Sequence, residues 1–376
     1  VAIEHTAFDS KPMLFNCVNG TIELKTGKLR PHRREDLLTQ QSPVAYDPNA
    51  LCPTYDRFIR EITLADEKPD ERLPLVEYLD RAFGYGLTGE TREQVWHLLV
   101  GSGENGKTTL VEAISDVEGD YAATMEPESI TLQRGGGHDG SAPTPDIARL
   151  RGKRFTKVTE TAEGARIDAA RVKRLCGEDK LTGRHLHHEP IEFYPTQKLF
   201  VYTNHRPRTG ETTHAFWRRV RLIPFDLNLQ DHPERKDKKL PSKLRGEAPG
   251  ILARLVRGCL AWQKDGLEPP QCVLDATKAY RSDMDIIALW LDERCELGAQ
   301  NEAKASTLYA DYAQWMEDGG ERPWTLTRFG EALNERGFGR RSSGGTWRQG
   351  LRLKEVFRMR RKDEEGEPHG RNGLFE

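Results

Sequence analysis

No C-x-x-C pair occurs anywhere in this chain of 376 residues. The six cysteines, Cys17, Cys52, Cys176, Cys259, Cys272 and Cys295, are scattered. That spacing argues against a disulfide framework and against a zinc site, and for reduced thiols in a cytosol. No apolar run approaches the roughly 20 residues that a membrane span needs, and no signal peptide is visible. Net charge is also lacking: 57 basic residues against 59 acidic ones leave −2. The total therefore gives no sign of a polyanionic partner, and only local balance can do so. No internal repeat is present. The first residue is Val1, so the chain is expected to begin inside a longer protein.

Against these absences, Gly101-Ser102-Gly103-Glu104-Asn105-Gly106-Lys107-Thr108 stands out. It fits G-x-x-x-x-G-K-S/T, the phosphate-binding P-loop. Val95 to Val100 precede it as a short apolar stretch, read as a buried strand, and Thr109 to Ser115 follow with apolar residues at helical spacing. Strand, glycine loop and helix N-terminus form an anion site, where inward backbone N–H groups and the helix dipole favour phosphate. Gly101 through Thr109 are thus the candidate ATP-binding residues. Lys107 is placed to reach the β- and γ-phosphates, and Thr108 to ligate Mg²⁺.

Three features downstream extend this site. Arg154 to Thr159 alternate like a strand and end at Glu160, the Walker B arrangement of a carboxylate at a strand tip. A single such acid also fits a solvated surface position. Gln197 to Thr203 form another strand, ending at Asn204, which could hold the lytic water or γ-phosphate or simply occupy a turn. Arg218 and Arg219 precede an apolar strand that runs to Phe225. They read either as a solvated edge or as an arginine finger acting on a neighbour's ATP. A finger is worth about 10³–10⁵ in rate, and one supplied in trans requires a closed head-to-tail ring.

Around this core, residues 1–54 read as a β-rich lead-in with a hairpin turning at Lys25-Thr26-Gly27, and 55–90 as a helical, collar-like segment. The ATPase core takes 91–245, interrupted by the glycine-rich loop Gly135 to Gly140, and 246–300 is a helical connector. Residues 301–362 form a basic unit and 363–376 a polar tail. From Arg322 to Lys362 there are twelve Lys or Arg and three acids. Thr325 to Gly337 read as a helix with a glycine stop, and Arg340 to Leu353 as a hairpin turning at Gly344-Gly345. Helix and basic hairpin together resemble a winged helix. Arg340, Arg341 and Arg348 are its candidate DNA contacts, the other readings being a solvated basic face or a protein-docking wing.

Taken in order, these elements resemble superfamily 3 helicases, and more closely the phage and plasmid primase–helicases related to those of poxviruses. The residues that carry the likeness include Asn19 to Pro31, Ala82 to Gly89, the Gly103-Glu104-Asn105-Gly106-Lys107-Thr108 loop, Arg149 to Arg154, Val172 to Arg184 and Leu260 to Pro269. The resemblance implies an α/β fold with an AAA+-like P-loop core around a mainly parallel sheet. That core is preceded by a small hairpin and helical region and followed by helices and a winged helix. It implies a hexameric ring that uses ATP and Mg²⁺, translocates on single-stranded DNA and unwinds forked duplex in the replication of a phage or mobile element, with a primase domain or protein as partner. The setting is the cytoplasm, with no membrane. Lys107 and Thr108 match the P-loop residues, Glu160 the Walker B acid, Asn204 the sensor, and Arg218 or Arg219 the finger.

Two positions depart from the family pattern. Relatives often carry two adjacent acids at Walker B, whereas Thr161 follows Glu160 here and Glu163 lies further on. The pore hairpin, usually Lys- or Arg-tipped, reads Arg184-His185-Leu186-His187-His188. Arg184 then carries most of the fixed charge beside His187 and His188, which are mostly neutral near pH 7. A zinc site on the three histidines lacks further ligands at the right spacing. The alternative function is a DNA-binding initiator or loader whose ATPase is an assembly switch. A nucleotide kinase is a further rival, which the double arginine and the basic tail do not fit.

Overall fold

The computed structural model describes residues 7–132, 144–159, 164–186, 188–211, 213–318 and 322–355. Its chain divides between Met284 and Asp285 into two compact units. The first opens with β1 (Leu14–Cys17), β2 (Gly20–Glu23) and β3 (Lys28–Arg30), an antiparallel sheet in that order. Helices α1 (Pro53–Ile62) and α2 (Pro69–Gly86) follow, each with proline in its first turn, where the missing N–H is harmless.

A five-stranded sheet forms the centre of this unit. β4 (Trp96–Val100) leads to α3 (Lys107–Glu118) and β5 (Ala122–Met125). Helix α4 (Pro145–Ala148) precedes β6 (Phe155–Val158), and α5 (Ala169–Leu175) follows it. β7 (Leu181–Gly183) and β8 (Ile191–Phe193) pair as an antiparallel hairpin between β6 and β9 (Lys198–Thr203). Then come α6 (His214–Trp217) and β10 (Val220–Pro224). The order is β10-β4-β9-β6-β5, with every neighbouring pair parallel. Such a sheet is buried on both faces, which is why its strands read as near-continuous apolar runs. The period of two still decides what meets what. Trp96, Leu98, Leu199, Val201 and Leu222 join one core, while Leu99, Phe200 and Ile223 join the other. Helices α7 (Leu240–Gly246), α8 (Ala248–Asp265) and α9 (Gln271–Asp283) complete the unit, and α2 packs along α8.

The second unit begins earlier than composition suggests. α10 (Ile286–Arg294) and β11 (Cys295–Lys304) fall in the stretch expected to be a connector, yet they belong to this unit. Trp290 of α10 sits in its core with Tyr312 and Phe329, and β11 supplies an edge of its sheet. α11 (Ala305–Asp318), α12 (Leu326–Glu335), β12 (Arg340–Ser342) and β13 (Thr346–Leu353) follow, with antiparallel strand order β11-β13-β12. Thr325 caps α12 by accepting from the Arg328 N–H.

A buried ionic group lies in the first unit. Arg154, just before β6, donates to the Leu87 carbonyl and lies over the Tyr121 ring at 4.5 Å. Lys198 donates to the carbonyls of Thr88 and Thr196, the latter at 2.9 Å. Glu118, fully buried at the end of α3, has no hydrogen-bond partner on either carboxyl oxygen among the described residues. Burial pushes its carboxyl up to about 7, against the pull of Lys198 and Arg154. Burial likewise lowers the Lys198 ammonium. A carboxyl raised in the folded state favours folding below its unfolded value, and that advantage is lost as pH rises toward 7. Glu118→Gln should therefore flatten the decline of stability between about pH 4.5 and 7, by at most about 1.4 kcal/mol per pH unit. Denaturant unfolding of both proteins across that range measures the difference.

Candidate nucleotide-binding site

β4 is the second strand of the sheet, and the chain leaves its carboxyl end at Val100. Six residues separate it from the start of α3 at Lys107. Gly106 stands at its N-cap with φ +80°, in the left-handed region that favours glycine, and a Cβ there would lie 2.6 Å from Ile62 Cγ2. No side chain caps α3. The first turn of α3 lies at the positive end of the helix dipole, which favours an anion there.

Lys107 is 4 % exposed. Its ammonium donates to the Gly101 carbonyl at 2.8 Å, to Asn105 Oδ1 at 2.8 Å and to Asn204 Oδ1 at 3.4 Å. The last contact joins residues 97 apart in sequence. It exists because β9 pairs in parallel with β4, so that Asn204 leaves the sheet beside the glycine loop. Thr159, after β6, reaches the same edge. Glu160 and Glu163 lie outside the described residues. Asn105 is buried, and its Nδ2 has no hydrogen-bond partner among the described residues. Gly103 to Thr109, Thr159 and Asn204 line a cleft of about 690 Å³. Thr108 is exposed and Thr109 half-buried beside it, and exposed Ser102 belongs to the loop.

The rest of the cleft is not legible in the motif. Phe58 and Ile62 of α1 form an apolar wall with Leu229 and Leu240. Arg235, Lys236 and Lys238 add cations from a segment that reads as merely polar. Their clustering between 235 and 239 was the available signal, but a charge run usually means a solvated face.

Arg218 and Arg219 occupy the opposite edge of the sheet. They precede β10, and the Trp96 N–H donates to the Arg219 carbonyl at 2.9 Å. At about 3.3 Å per strand residue, the length of β4 sets them roughly 15 Å from the glycine loop of the same chain. Both guanidinium groups donate to Gln94 Oε1, at 2.8 and 3.1 Å. Burial, then the charge of Arg218, lowers the pKa of Arg219.

The β7–β8 hairpin carries residues 184–190 at its tip. His185 and His188 are exposed there, Leu186 is 62 % exposed, and Arg184 is half-buried. The Thr144 N–H donates to the Arg184 carbonyl at 3.0 Å. His187 lies outside the described residues. Among those described, no group of three or more His, Cys, Asp or Glu is disposed to hold a metal.

In the second unit the three arginines part company. Arg340 is exposed at the hairpin base. Arg341 Nη2 donates to both carboxyl oxygens of Glu302, at 2.9 and 3.0 Å. Arg348 is 5 % exposed and does not face solvent, so its assignment as a DNA contact is corrected. Its guanidinium donates to Asn334 Oδ1 and to the carbonyls of Gly330 and Phe338, at 2.8 and 3.3 Å. Strict alternation inward from Leu353 and Leu351 would turn Arg348 outward. A register shift opposite Leu297–Glu302 and Gly350, at φ +89°, change the parity of β13 and turn it in.

Residues 1–64 match the family described as D5 N terminal like. The chain is 27 % identical over 331 residues to the putative helicase L207/L206 of Acanthamoeba polyphaga mimivirus, covering 82 % of this chain and 33 % of that protein. It is 27 % identical over 332 residues to the putative primase C962R of African swine fever virus, with the same coverages. The chain thus spans about a third of the length of these relatives. The NrS-1 C-terminal region is similar at 12 % identity and a TM-score of 0.47, over 93 % of this chain and 84 % of that one. The sequence matches agree with the resemblance to viral primase–helicases, in their helicase part. No helix among the described residues is long and apolar enough to cross a membrane.

Arg348→Ala removes the three hydrogen bonds of a buried guanidinium, to Asn334, Gly330 and Phe338, and should destabilise the second unit by about 1.5–3 kcal/mol. Arg340→Ala should stay within about 0.5 kcal/mol. Thermal unfolding of the two variants checks the contrast.

Proposed function

We infer that this chain, similar over four-fifths of its length to viral putative helicases and primases, is the ATP-driven motor of a DNA helicase of superfamily 3, acting in viral or mobile-element replication. One observation carries the reading. A single edge of a parallel sheet brings Lys107, Thr159 and Asn204 around one cleft, while Arg218 and Arg219 stand on the opposite edge.

The residues present fit a nucleoside triphosphate with Mg²⁺. The cleft falls within the usual size of cofactor sites, about 300–1,000 Å³. It has a helix N-terminus with no side-chain cap, a buried ammonium at its floor and, on Asn105, an amide nitrogen with no partner among the described residues. Backbone N–H groups of Glu104 to Lys107 would hold the phosphates, Lys107 the β- and γ-oxygens, and Thr108 with Glu160 the metal. Mg²⁺, when bound, offsets the charge on those oxygens. Lys107 and Asn204 would keep the terminal phosphate in line for an attacking water, which Glu160 or Asn204 orients. Asn204 joins this site to β9, and β9 follows the β7–β8 hairpin directly. Phosphate occupancy therefore has a short covalent route to Arg184, His187 and His188.

The arginines complete the scheme only across a boundary. Set on the far edge, Arg219 or Arg218 suits a neighbour's nucleotide in a head-to-tail ring, as expected of a hexamer. In the second unit, the order α10-β11-α11-α12-β12-β13 and the sheet β11-β13-β12 support a winged-helix reading. Its outer helix face mixes Arg328 with Glu331 and Glu335. Contact with duplex phosphates would therefore rest on the wing, through Arg340 and Arg341.

Lys107→Ala should abolish ATP turnover in a phosphate-release assay; substantial turnover would remove the phosphate role. Arg219→Ala should bind ATP and lose about 10³-fold or more in hydrolysis. Mixed with Lys107→Ala, it should regain part of that rate through hybrid interfaces, and no rescue at any ratio would contradict action in trans. Arg184→Ala should keep basal hydrolysis and lose its stimulation by single-stranded DNA.

A further inference from the structure

The wall of the cleft facing α1 is the segment 229–241, and it is fastened to the glycine loop at one residue. The Leu229 N–H donates to the Glu104 carbonyl at 2.9 Å. Gln230 Nε2 donates to Glu104 Oε1 at 3.4 Å, and the Lys236 ammonium pairs with Oε2. On its other side the segment is fastened through Arg235, which pairs with Glu67 at 2.8 Å and with Glu61 at 3.9 Å. Lys238, beside them, is exposed and lines the same cleft.

Glu104 is an odd residue for a phosphate loop. Its φ of +41° lies in the left-handed region, uncommon for a residue with a Cβ. The hydrogen bond and charge of Lys236 hold its carboxyl below the usual carboxylate range, so it is ionised. A fixed negative charge then stands where a polyphosphate would bring more of the same sign. Lys236 neutralises that charge, but its ammonium is a point charge on a flexible stem with three donors, able to change partners. A triphosphate offers several anionic oxygens against one carboxylate. Arg235 is held by two acids on the far wall and is less ready to move.

We propose that 229–241 is a phosphate strap, in which Lys236 exchanges Glu104 for the terminal phosphates of a bound nucleoside triphosphate. The proposal rests on the nucleotide reading of Lys107. Glu104 acts as a placeholder that keeps the strap docked, and its release couples the glycine loop to the segment leading into α7. Because the contact is to terminal phosphates, its effect grows with phosphate number and barely touches a monophosphate.

Isothermal titration of the full chain with the Mg²⁺ complexes of ATP and ADP, and with AMP, tests this. Lys236→Ala should weaken ATP about 10-fold, the order expected for a charge-assisted contact, and AMP less than twofold. Glu104→Gln should tighten ATP several-fold, since the competitor is removed. In that background the loss caused by Lys236→Ala should be larger than in the wild type. Unchanged ATP affinity in Lys236→Ala, or equal losses for ATP and AMP, overturns the strap. Both side chains are exposed, and thermal unfolding confirms that the variants fold. Lys107→Ala separates the two claims. If it binds ATP as the wild type does, the nucleotide site itself falls. If it loses ATP while Lys236→Ala does not, only the strap falls.

Discussion

The parallel pairing of β4 with β9 is the constraint on which the proposed site depends. It sets Asn204 beside Lys107 although nearly a hundred residues separate them, and it fixes which edge of the sheet receives both. Every strand in this sheet runs the same way, so every carboxyl end opens on one side. The glycine loop, Thr159 and Asn204 are neighbours for that reason. The same rule expels Arg218 and Arg219, which enter β10 from the other end. One geometric fact thus gathers the candidate site at one end of the strands and sets the two arginines at the other.

The buried ions fit this picture as supports of the sheet. Arg154 and Lys198 stand at the starts of β6 and β9 and spend their donors on the carbonyls of Leu87, Thr88 and Thr196. They anchor the amino ends of the two strands that deliver Thr159 and Asn204 at their carboxyl ends. Glu118 sits among them at the far end of α3, whose first turn is the candidate phosphate site. Its raised carboxyl marks a place where the fold accepts a desolvation penalty in its core. His97 makes a different accommodation. It is buried in β4 and stacked on Phe200 at 4.6 Å, and burial lowers its pKa to about 3, so it serves as a neutral ring.

Much of the fold is legible from local pattern. The apolar runs that become β4, β9 and β10 are near-continuous because both faces of the sheet are covered. Period and glycine together announce the strand, loop and helix around Lys107, and the Gly344-Gly345 turn announces the hairpin of the second unit. What local pattern misses is set by long-range packing. Phe58 and Ile62 read as an ordinary amphipathic face, and only the tertiary fold lays them against Gly106. Lys236 reads as one charge in a polar run until Glu104 is seen opposite. Arg348 reads as a basic wing residue because strand parity is assumed regular, and Gly350 breaks it. The start of the second unit is misplaced for a similar reason, since α10 and β11 look like connector until Trp290 is found in its core.

We propose that nucleotide at Lys107 is turned over only where a neighbour supplies the arginine. The most direct test is ATP turnover per subunit as a function of protein concentration, with particle size recorded on the same samples by mass photometry. Turnover should be almost absent where the protein is monomeric and should rise to a plateau as rings assemble. A rate per subunit that stays constant down to concentrations at which only monomers are present would contradict it.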